Sequence, residues 1–272
     1  MDVLILASES CDPATEIICA PENVIELFEF SEPLFSIGPL DFTRTVVLTF
    51  LAMFIVLGLL YMGFRKRSVV PSKFGVAMES VVSFVRDDVA KGTIGPDGSR
   101  YAPYLLSIFM FILVANLFEL TPGINFPLTS RMAIPLMLAI FTWLIFVIVG
   151  FSKNGLRYLS DIVWPKSVPL ALRWLVGLIE LVSVFILRPI TLAVRLFANL
   201  VAGHLMLTLL LGSGWIFFAA VGDIGVRSII GLPWFLFGLG IFIFEFVVAV
   251  LQAYIFTLLS AVYIQTSVHP EH

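Results

Sequence analysis

Charged residues are scarce in this chain. Only 13% of its 272 residues are Asp, Glu, Lys or Arg, while 60% are hydrophobic. A soluble globular domain has about 25% charged residues. The composition therefore excludes an ordinary soluble domain, and it is typical of a protein that crosses a membrane several times.

Motifs for nucleotide binding and covalent catalysis are also lacking. Neither G-x-x-x-x-G-K-[ST] nor G-x-G-x-x-G occurs, so no phosphate-binding loop is predicted. Ser, His and Cys do not cluster as a nucleophile set, no metal-ligand spacing is present, and no internal repeat is detected. We therefore predict a protein that is not an enzyme by itself and that binds no metal, cofactor or nucleic acid.

Basic residues are absent from the first 43 residues, which carry nine acidic ones. Without a basic region before an apolar stretch, this segment is not a secretory signal peptide. We predict an acidic arm of residues 1–43 outside the cytoplasm, followed by a membrane domain of residues 44–272. The chain's two cysteines, Cys11 and Cys19, lie in this arm. An oxidising compartment would allow a disulfide between them, and two free thiols are the alternative.

Five apolar stretches are long enough to cross a bilayer, which takes about 20 residues of helix. The last two would be about 63 Å and 51 Å long as single helices, against a hydrocarbon core of about 30 Å. They must therefore be strongly inclined or bent, as Pro189 allows, or else broken into shorter helices with re-entrant parts. The predicted stretches are Thr45–Phe64, Tyr104–Leu120, Met132–Phe151, Leu170–Leu211 and Gly231–Ile264.

The basic residues predict the orientation of these spans. Arg65, Lys66 and Arg67 directly follow the first span, and positively charged loops stay on the cytoplasmic side. Threading the chain through five spans puts eleven Lys and Arg residues inside and three outside. We predict an N-terminus outside and a cytoplasmic C-terminus in a bacterial plasma membrane, with the mitochondrial inner membrane as the alternative.

An apolar stripe at helical spacing runs from Phe74 to Val89, after the first span. The segment is too polar to span and predicts an amphipathic helix on the inner membrane face, ended by the turn Gly-Pro-Asp-Gly at 95–98. Such a helix either packs on the membrane or provides a docking surface for a partner subunit. The predicted fold is thus an all-α integral membrane protein with about five spans, one amphipathic surface helix, and a long inclined hairpin formed by the last two helices.

Polar side chains are predicted at membrane depth, where a single arginine costs at least about 2.5 kcal/mol. One such residue alone usually makes a hydrogen bond between helices. This many, of both signs, indicate a proton or ion pathway instead. The residues are Asn116, Glu119, Glu180, Arg188, Arg195, Asn199, His204, Glu245 and Gln252.

Helical spacing relates several of these residues to one another. At 100° per residue, Arg195 and Asn199 lie within about 40° on one helix face. The last helix runs antiparallel, so if Gln252 stands level with Arg195, Glu245 lies near the level of His204. A His–Glu pair of this kind would either relay protons or only fix helix packing.

Three stretches carry a specific resemblance. R-L-F-A-N-L-V-A-G-H (195–204) and L-Q-A-Y-I-F-T-L-L-S-A-V-Y (251–263) are similar to subunit a of the F-type ATP synthase. N-L-F-E-L-T-P (116–122) resembles that family's motif at the outer end of its second span. The resemblance covers essentially the whole chain from Arg44 onward. It implies an ion-translocating stator subunit with two offset half-channels, whose partners are the rotating c-ring, subunit b, the rest of the complex and membrane lipid.

The resemblance also implies roles for the polar residues. Arg195 matches the essential arginine that faces the c-ring carboxylate, which its fixed charge would hold ionised. The same charge would prevent protons from leaking between the half-channels. On the family pattern, Asn199 lines the same interface, and Gln252 matches the glutamine of the last helix that lies near the arginine. Asn116 and Glu119 match polar positions of the outer half-channel, and Glu180 matches a carboxylate of the inner half-channel. His204 and Glu245 fill positions held by one imidazole and one carboxylate, and Arg188 is structural or interfacial.

Two other classes of protein fit part of the pattern. A self-contained secondary transporter or ion channel would also have a site at mid-membrane, but many such folds contain repeats, which this chain lacks. A structural membrane scaffold would not need buried Arg, His and Glu. The sequence does not distinguish H⁺ from Na⁺ as the transported ion, because the ion-binding carboxylate would lie on subunit c.

Overall fold

The computed structural model describes residues 17–18, 33–37, 40–64, 72–121, 128–164, 169–220, 222 and 225–268. The basic run at 65–67 and both cysteines lie outside these residues, so the orientation and the disulfide stay predictions. The chain divides into two compact units. The first comprises Met1–Leu51, Ala115–Arg131 and Ala198–Leu251, and the second comprises Ala52–Val114, Met132–Phe197 and Gln252–His272.

Among the described residues, five helices are long and apolar enough to cross a membrane. Apart from one short β-hairpin, they confirm the predicted all-α membrane fold with five spans, and the last two are the predicted long pair. Hydropathy predicted the ends of the first three spans to within a few residues of those in the structure. The main helices are α1 (Arg44–Phe64), α2 (Lys73–Ser83), α3 (Ala102–Leu120), α4 (Ala133–Asn154), α5 (Arg157–Val163), α6 (Leu170–Val182), α7 (Arg188–Ala219) and α8 (Gly231–Val268).

A short β-hairpin precedes α1. Strands β1 (Pro33–Ile37) and β2 (Leu40–Thr43) pair antiparallel, with Ile37 opposite Leu40. The hairpin was not predicted, because alternation over four or five residues next to Gly and Pro is a weak strand signal.

Helix α2 begins with a side-chain cap. The Ser72 hydroxyl accepts a hydrogen bond from the backbone N–H of Gly75 at 3.2 Å. The helix continues as a wider π-helical segment, Phe84–Lys91. Met78 and Val89 of the predicted apolar stripe are buried. The amphipathic helix is therefore present, while its position on the membrane surface stays a prediction.

Helix α6 leads directly into α7 through a π-helical segment, Ser183–Leu187. This wide turn stands immediately before Pro189, which has no N–H to donate and whose ring crowds the preceding turn of a regular helix. The helix is continuous from Leu172 to Ala219, so the alternative of separate shorter helices is wrong for this stretch. Helix α8 has no interruption over its 38 residues.

The short helix α5 was not predicted, and two glycines explain how it packs in the second unit. A Cβ on Gly150 of α4 would lie 2.7 Å from the ring of Tyr158. A Cβ on Gly177 of α6 would overlap the carbonyl oxygen of Val163. Because both glycines lack that atom, α5 packs closely against α4 and α6.

Candidate functional site

Four of the predicted site residues form one buried group in the first unit. We call Asn116, Glu119, His204 and Glu245 the histidine cluster, and none of their side chains is more than 9% exposed. Nδ1 of His204 lies 3.7 Å from Oε1 of Glu119. Nδ2 of Asn116 donates a hydrogen bond to the carbonyl oxygen of Ala249 at 3.4 Å. Helices α3, α7 and α8 each contribute to the cluster.

Gly203 provides the space that the Glu245 carboxylate occupies. A Cβ at position 203 would come 2.5 Å from Cδ of Glu245, closer than real Cβ atoms approach. Glu245 therefore lies next to the residue that precedes His204, at the level predicted from helical spacing. The sequence analysis paired His204 with Glu245 and missed the approach of Glu119 to the same imidazole.

Two oxygens of the cluster are buried and have no hydrogen-bond partner among the described residues. They are Oδ1 of Asn116 and Oε1 of Glu119. A buried polar atom left unpaired costs about 1–3 kcal/mol, so a cluster that served only helix packing would be expected to pair them. Both atoms are able to accept a hydrogen bond, and the carboxylate is able to accept a proton. The arrangement is suited to proton transfer.

Arg195 lies in the second unit and has the opposite setting, because its side chain is exposed on an apolar face of α7. Val194 and Ala198, which neighbour Arg195 on the surface of the helix, are exposed as well, Val194 to 43%. Within the part of the chain that the structure describes, the guanidinium has no hydrogen-bond or ion-pair partner. An unpaired charge at membrane depth costs at least about 2.5 kcal/mol. A counter-charge or water outside this chain would remove that cost.

Arg188 contrasts with Arg195, because its charge is satisfied within the second unit. Its Nη1 donates a hydrogen bond to Oγ1 of Thr266 at 3.2 Å. Its guanidinium also lies 5.1 Å from the ring centroid of Tyr263, a cation–π contact worth about 0.5–2 kcal/mol. Of the two roles that the resemblance implied for Arg188, structural or interfacial, these contacts favour the structural one, which stays a prediction.

Glu180 lines a small open cleft in the second unit, which we call the Arg188 cleft. Its polar lining also includes Asp161 of α5, a residue that the sequence analysis did not select. No motif or helical periodicity marked Asp161, since it lies on a helix of two turns between spans. The lining residues used below are Tyr158, Asp161, Glu180, Val184, Arg188 and Thr266.

The two remaining predicted residues have different surroundings. Asn199 is half-buried on α7, one helical turn after Arg195, so the predicted shared face follows from the unbroken α-helix. Gln252 is buried in the second unit, and its Nε2 has no hydrogen-bond partner among the described residues. The closeness of Gln252 to Arg195 stays a prediction.

Gly203→Ala is expected to lower proton transport several-fold, because the new methyl group would displace the Glu245 carboxylate from its place beside His204. For a member of the family that the sequence resembles, the measurement is ATP-driven acidification of inverted membrane vesicles, compared at equal amounts of assembled complex. Gly240→Ala on α8 is the matched control, since a Cβ there meets nothing within 4 Å. Equal transport by the two variants would show that the position of Glu245 does not matter.

Comparison with known proteins gives consistent matches. The family model described as ATP synthase A chain matches residues 46–265. A protein named ATP synthase subunit a from Frankia alni is 40% identical over 239 residues, which are 84% of this chain and 78% of the relative. The protein of that name from Parafrankia is 37% identical, over 96% of this chain and 86% of its own length. The one from Maricaulis maris is 34% identical, over 93% and 100%.

Proposed function

Because the chain belongs to the ATP synthase A chain family, we propose that it is the stator subunit that conducts protons past a rotating ring of subunit c. It is a multi-pass membrane protein of the ATP synthase complex and is not itself the catalyst of ATP synthesis. We place it in a bacterial plasma membrane with its N-terminus outside and its C-terminus in the cytoplasm, and with subunit b as a further partner. The observation that carries the proposal is the exposed Arg195 on an apolar face of α7.

Arg195 supplies a fixed positive charge for the carboxylate of subunit c at the seam, the boundary between the two half-channels. A guanidinium does not lose its proton, so its charge is fixed and it stabilises the ionised form of a carboxylate that passes it. A carboxylate arriving with its proton therefore releases it there. The same positive charge opposes the direct passage of protons across the seam.

The histidine cluster is assigned to the outer half-channel. An imidazole and two carboxylates on three helices are groups that exchange protons, and Asn116 offers an amide oxygen beside them. Nδ1 of His204 and Oε1 of Glu119 lie 3.7 Å apart, so an approach of about 1 Å brings them within the ~2.6–3.2 Å reach of direct proton transfer. Protons from outside would thus reach the rotor carboxylate through Glu119, His204 and Glu245.

Glu180 is assigned to the inner half-channel. It lies on α6, 15 residues before Arg195 on the continuous helix, and it lines an open cleft. A carboxylate in such a cleft is able to receive the proton that the rotor carboxylate releases. Because the two half-channels are offset, a proton crosses the membrane only while bound to a carboxylate of the rotating ring. Its movement is therefore coupled to rotation.

Cross-linking in the assembled complex tests the proposed contact with the ring. Val194→Cys places a thiol beside Arg195 on the exposed face of α7. It is expected to form a disulfide with a cysteine introduced next to the ion-binding carboxylate of subunit c. Without ATP, the thiol should cross-link only the copy of subunit c that lies next to it. With ATP, rotation should bring every copy of subunit c past the thiol in turn, so each copy should be able to form the cross-link.

Phe54→Cys is the control, because Phe54 is 64% exposed on α1 and is not assigned to the ring interface. It should give no cross-link with the same cysteine of subunit c. A cross-link from Phe54→Cys and none from Val194→Cys would overturn the assignment of the Arg195 face to the rotor.

A further inference from the structure

The contact between α5 and α6 fixes where Asp161 lies. Gly177 packs directly on the carbonyl of Val163. Asp161 precedes Val163 by two residues, and Glu180 follows Gly177 by three, about one helical turn. This single close contact therefore brings the two carboxylates into the lining of one cleft.

The other groups in the Arg188 cleft suit a pair of carboxylates. The titratable or charged side chains that line it with Asp161 are Tyr158, Glu180 and Arg188. Arg188 is held by Thr266 and Tyr263, and its charge does not change with pH. The Tyr158 hydroxyl lies 3.2 Å from the Ser267 hydroxyl. Among the side chains that line the cleft, the two carboxylates are thus the groups whose oxygens are placed to accept a proton and pass it on.

We propose that Asp161 is a second proton carrier of the inner half-channel, placed between cytoplasmic water and Glu180. This inference rests on the function proposed above, and it adds a residue outside the matched motifs. When the complex hydrolyses ATP, an Asp161 carboxylate takes a proton from water and the acid passes it to the Glu180 carboxylate. During synthesis the proton moves in the opposite direction. No bond other than O–H forms or breaks.

Asp161→Asn is expected to slow ATP-driven proton pumping about three- to tenfold when the cytoplasmic side is alkaline. A carboxylate raises the local supply of protons where free protons are scarce, so the defect should shrink toward none as the cytoplasmic side is acidified to about pH 6. The measurement is pumping by inverted vesicles that contain the whole complex, whose cytoplasmic face is in contact with the buffer. Asp161→Glu should pump at nearly the normal rate.

Asp97→Asn is the matched control. Asp97 belongs to the same unit, is exposed, and pairs with Lys153 at 3.2 Å outside the cleft. It should pump normally at every pH. If Asp161→Asn behaves like Asp97→Asn across the whole pH range, the proposal for Asp161 is overturned.

A second variant serves if Asp161→Asn reduces assembly. Asp161→Cys in the assembled complex should regain pumping after iodoacetate, which attaches a carboxylate, and should not regain it after iodoacetamide, which attaches a neutral amide of similar size. Equal effects of the two reagents would contradict a proton-carrying role. Unmodified complex treated in parallel controls for other thiols.

The outcomes also separate this inference from the function on which it rests. If Arg195→Ala leaves coupled transport intact, the proposed function fails and the role of Asp161 fails with it. If Arg195→Ala abolishes transport while Asp161→Asn pumps like the control, only the role of Asp161 is lost.

Discussion

Arg195→Ala is expected to abolish coupled proton transport, with a loss of at least about 100-fold in both ATP-driven pumping and gradient-driven synthesis. Removal of the fixed charge leaves the passing carboxylate without the partner that holds it ionised. It also removes the barrier between the half-channels, so passive proton leak should rise. Hydrolysis of ATP by the detached soluble part should be unchanged. Pumping, synthesis and leak are measured in vesicles that contain equal amounts of complex.

Two further variants make the result specific. Arg195→Lys should fail as well, because an amine can lose its proton in a dehydrated site and lacks the planar guanidinium. Arg173→Ala removes an arginine from the same long helix, where it stacks 5.7 Å from the ring of Trp164. It should transport normally. Normal synthesis by Arg195→Ala would contradict the assignment of this residue.

His204→Gln is expected to lower proton transport at least tenfold while the complex still assembles. Glutamine keeps a polar side chain of similar size but does not titrate, and general acid–base groups contribute about 10²–10⁴ to the rates that they assist. The remaining transport should depend differently on the pH of the outer side. Adding Glu119→Gln should cause little further loss, because groups that act as one unit give strongly non-additive effects.

A packing role for His204 makes different predictions. Glutamine would then preserve transport, or would lower the amount of complex without changing the pH profile. Tyr104→Phe shows what a purely structural change does, since it removes a 2.9 Å hydrogen bond to Thr142 inside the spans. An unaltered pH profile in both variants would reduce the pair of His204 and Glu119 to helix packing.

Long apolar helices were predictable because hydropathy reports burial in lipid, which does not depend on the neighbours of each residue. Helix α5 and the π-helical segment Ser183–Leu187 were not predictable in this way. The first is too short to show a period and is held by tertiary contacts at Gly150 and Gly177. The second depends on how the chain adjusts around Pro189, for which the sequence permits a bend, a break or a widened turn.

In the candidate site, too, features set by spacing along one helix were predictable, and features set by packing between helices were not. Residues on one helix could be ordered by height and face, so the shared face of Arg195 and Asn199 followed from spacing, whereas the level of Glu245 needed the further assumption that Gln252 stands level with Arg195. The approach of Glu119 to His204 depends on how α3 packs against α7, and no spacing within a single helix encodes it. Asp161 could have been noticed as an acid between two spans, but its neighbour Glu180 is 19 positions away.

The two long helices differ in mechanical character. Helix α8 is α-helical over all of its 38 residues, whereas α6–α7 contains the widened turn at Ser183–Leu187. Bends in helices concentrate at prolines and π-helical turns. A sideways load from the rotor on Arg195 would therefore be taken up elastically at the widened turn of α6–α7. The widened turn gives this stator subunit a compliant element that ends eight residues, about two turns, before its fixed charge, on the side toward Glu180.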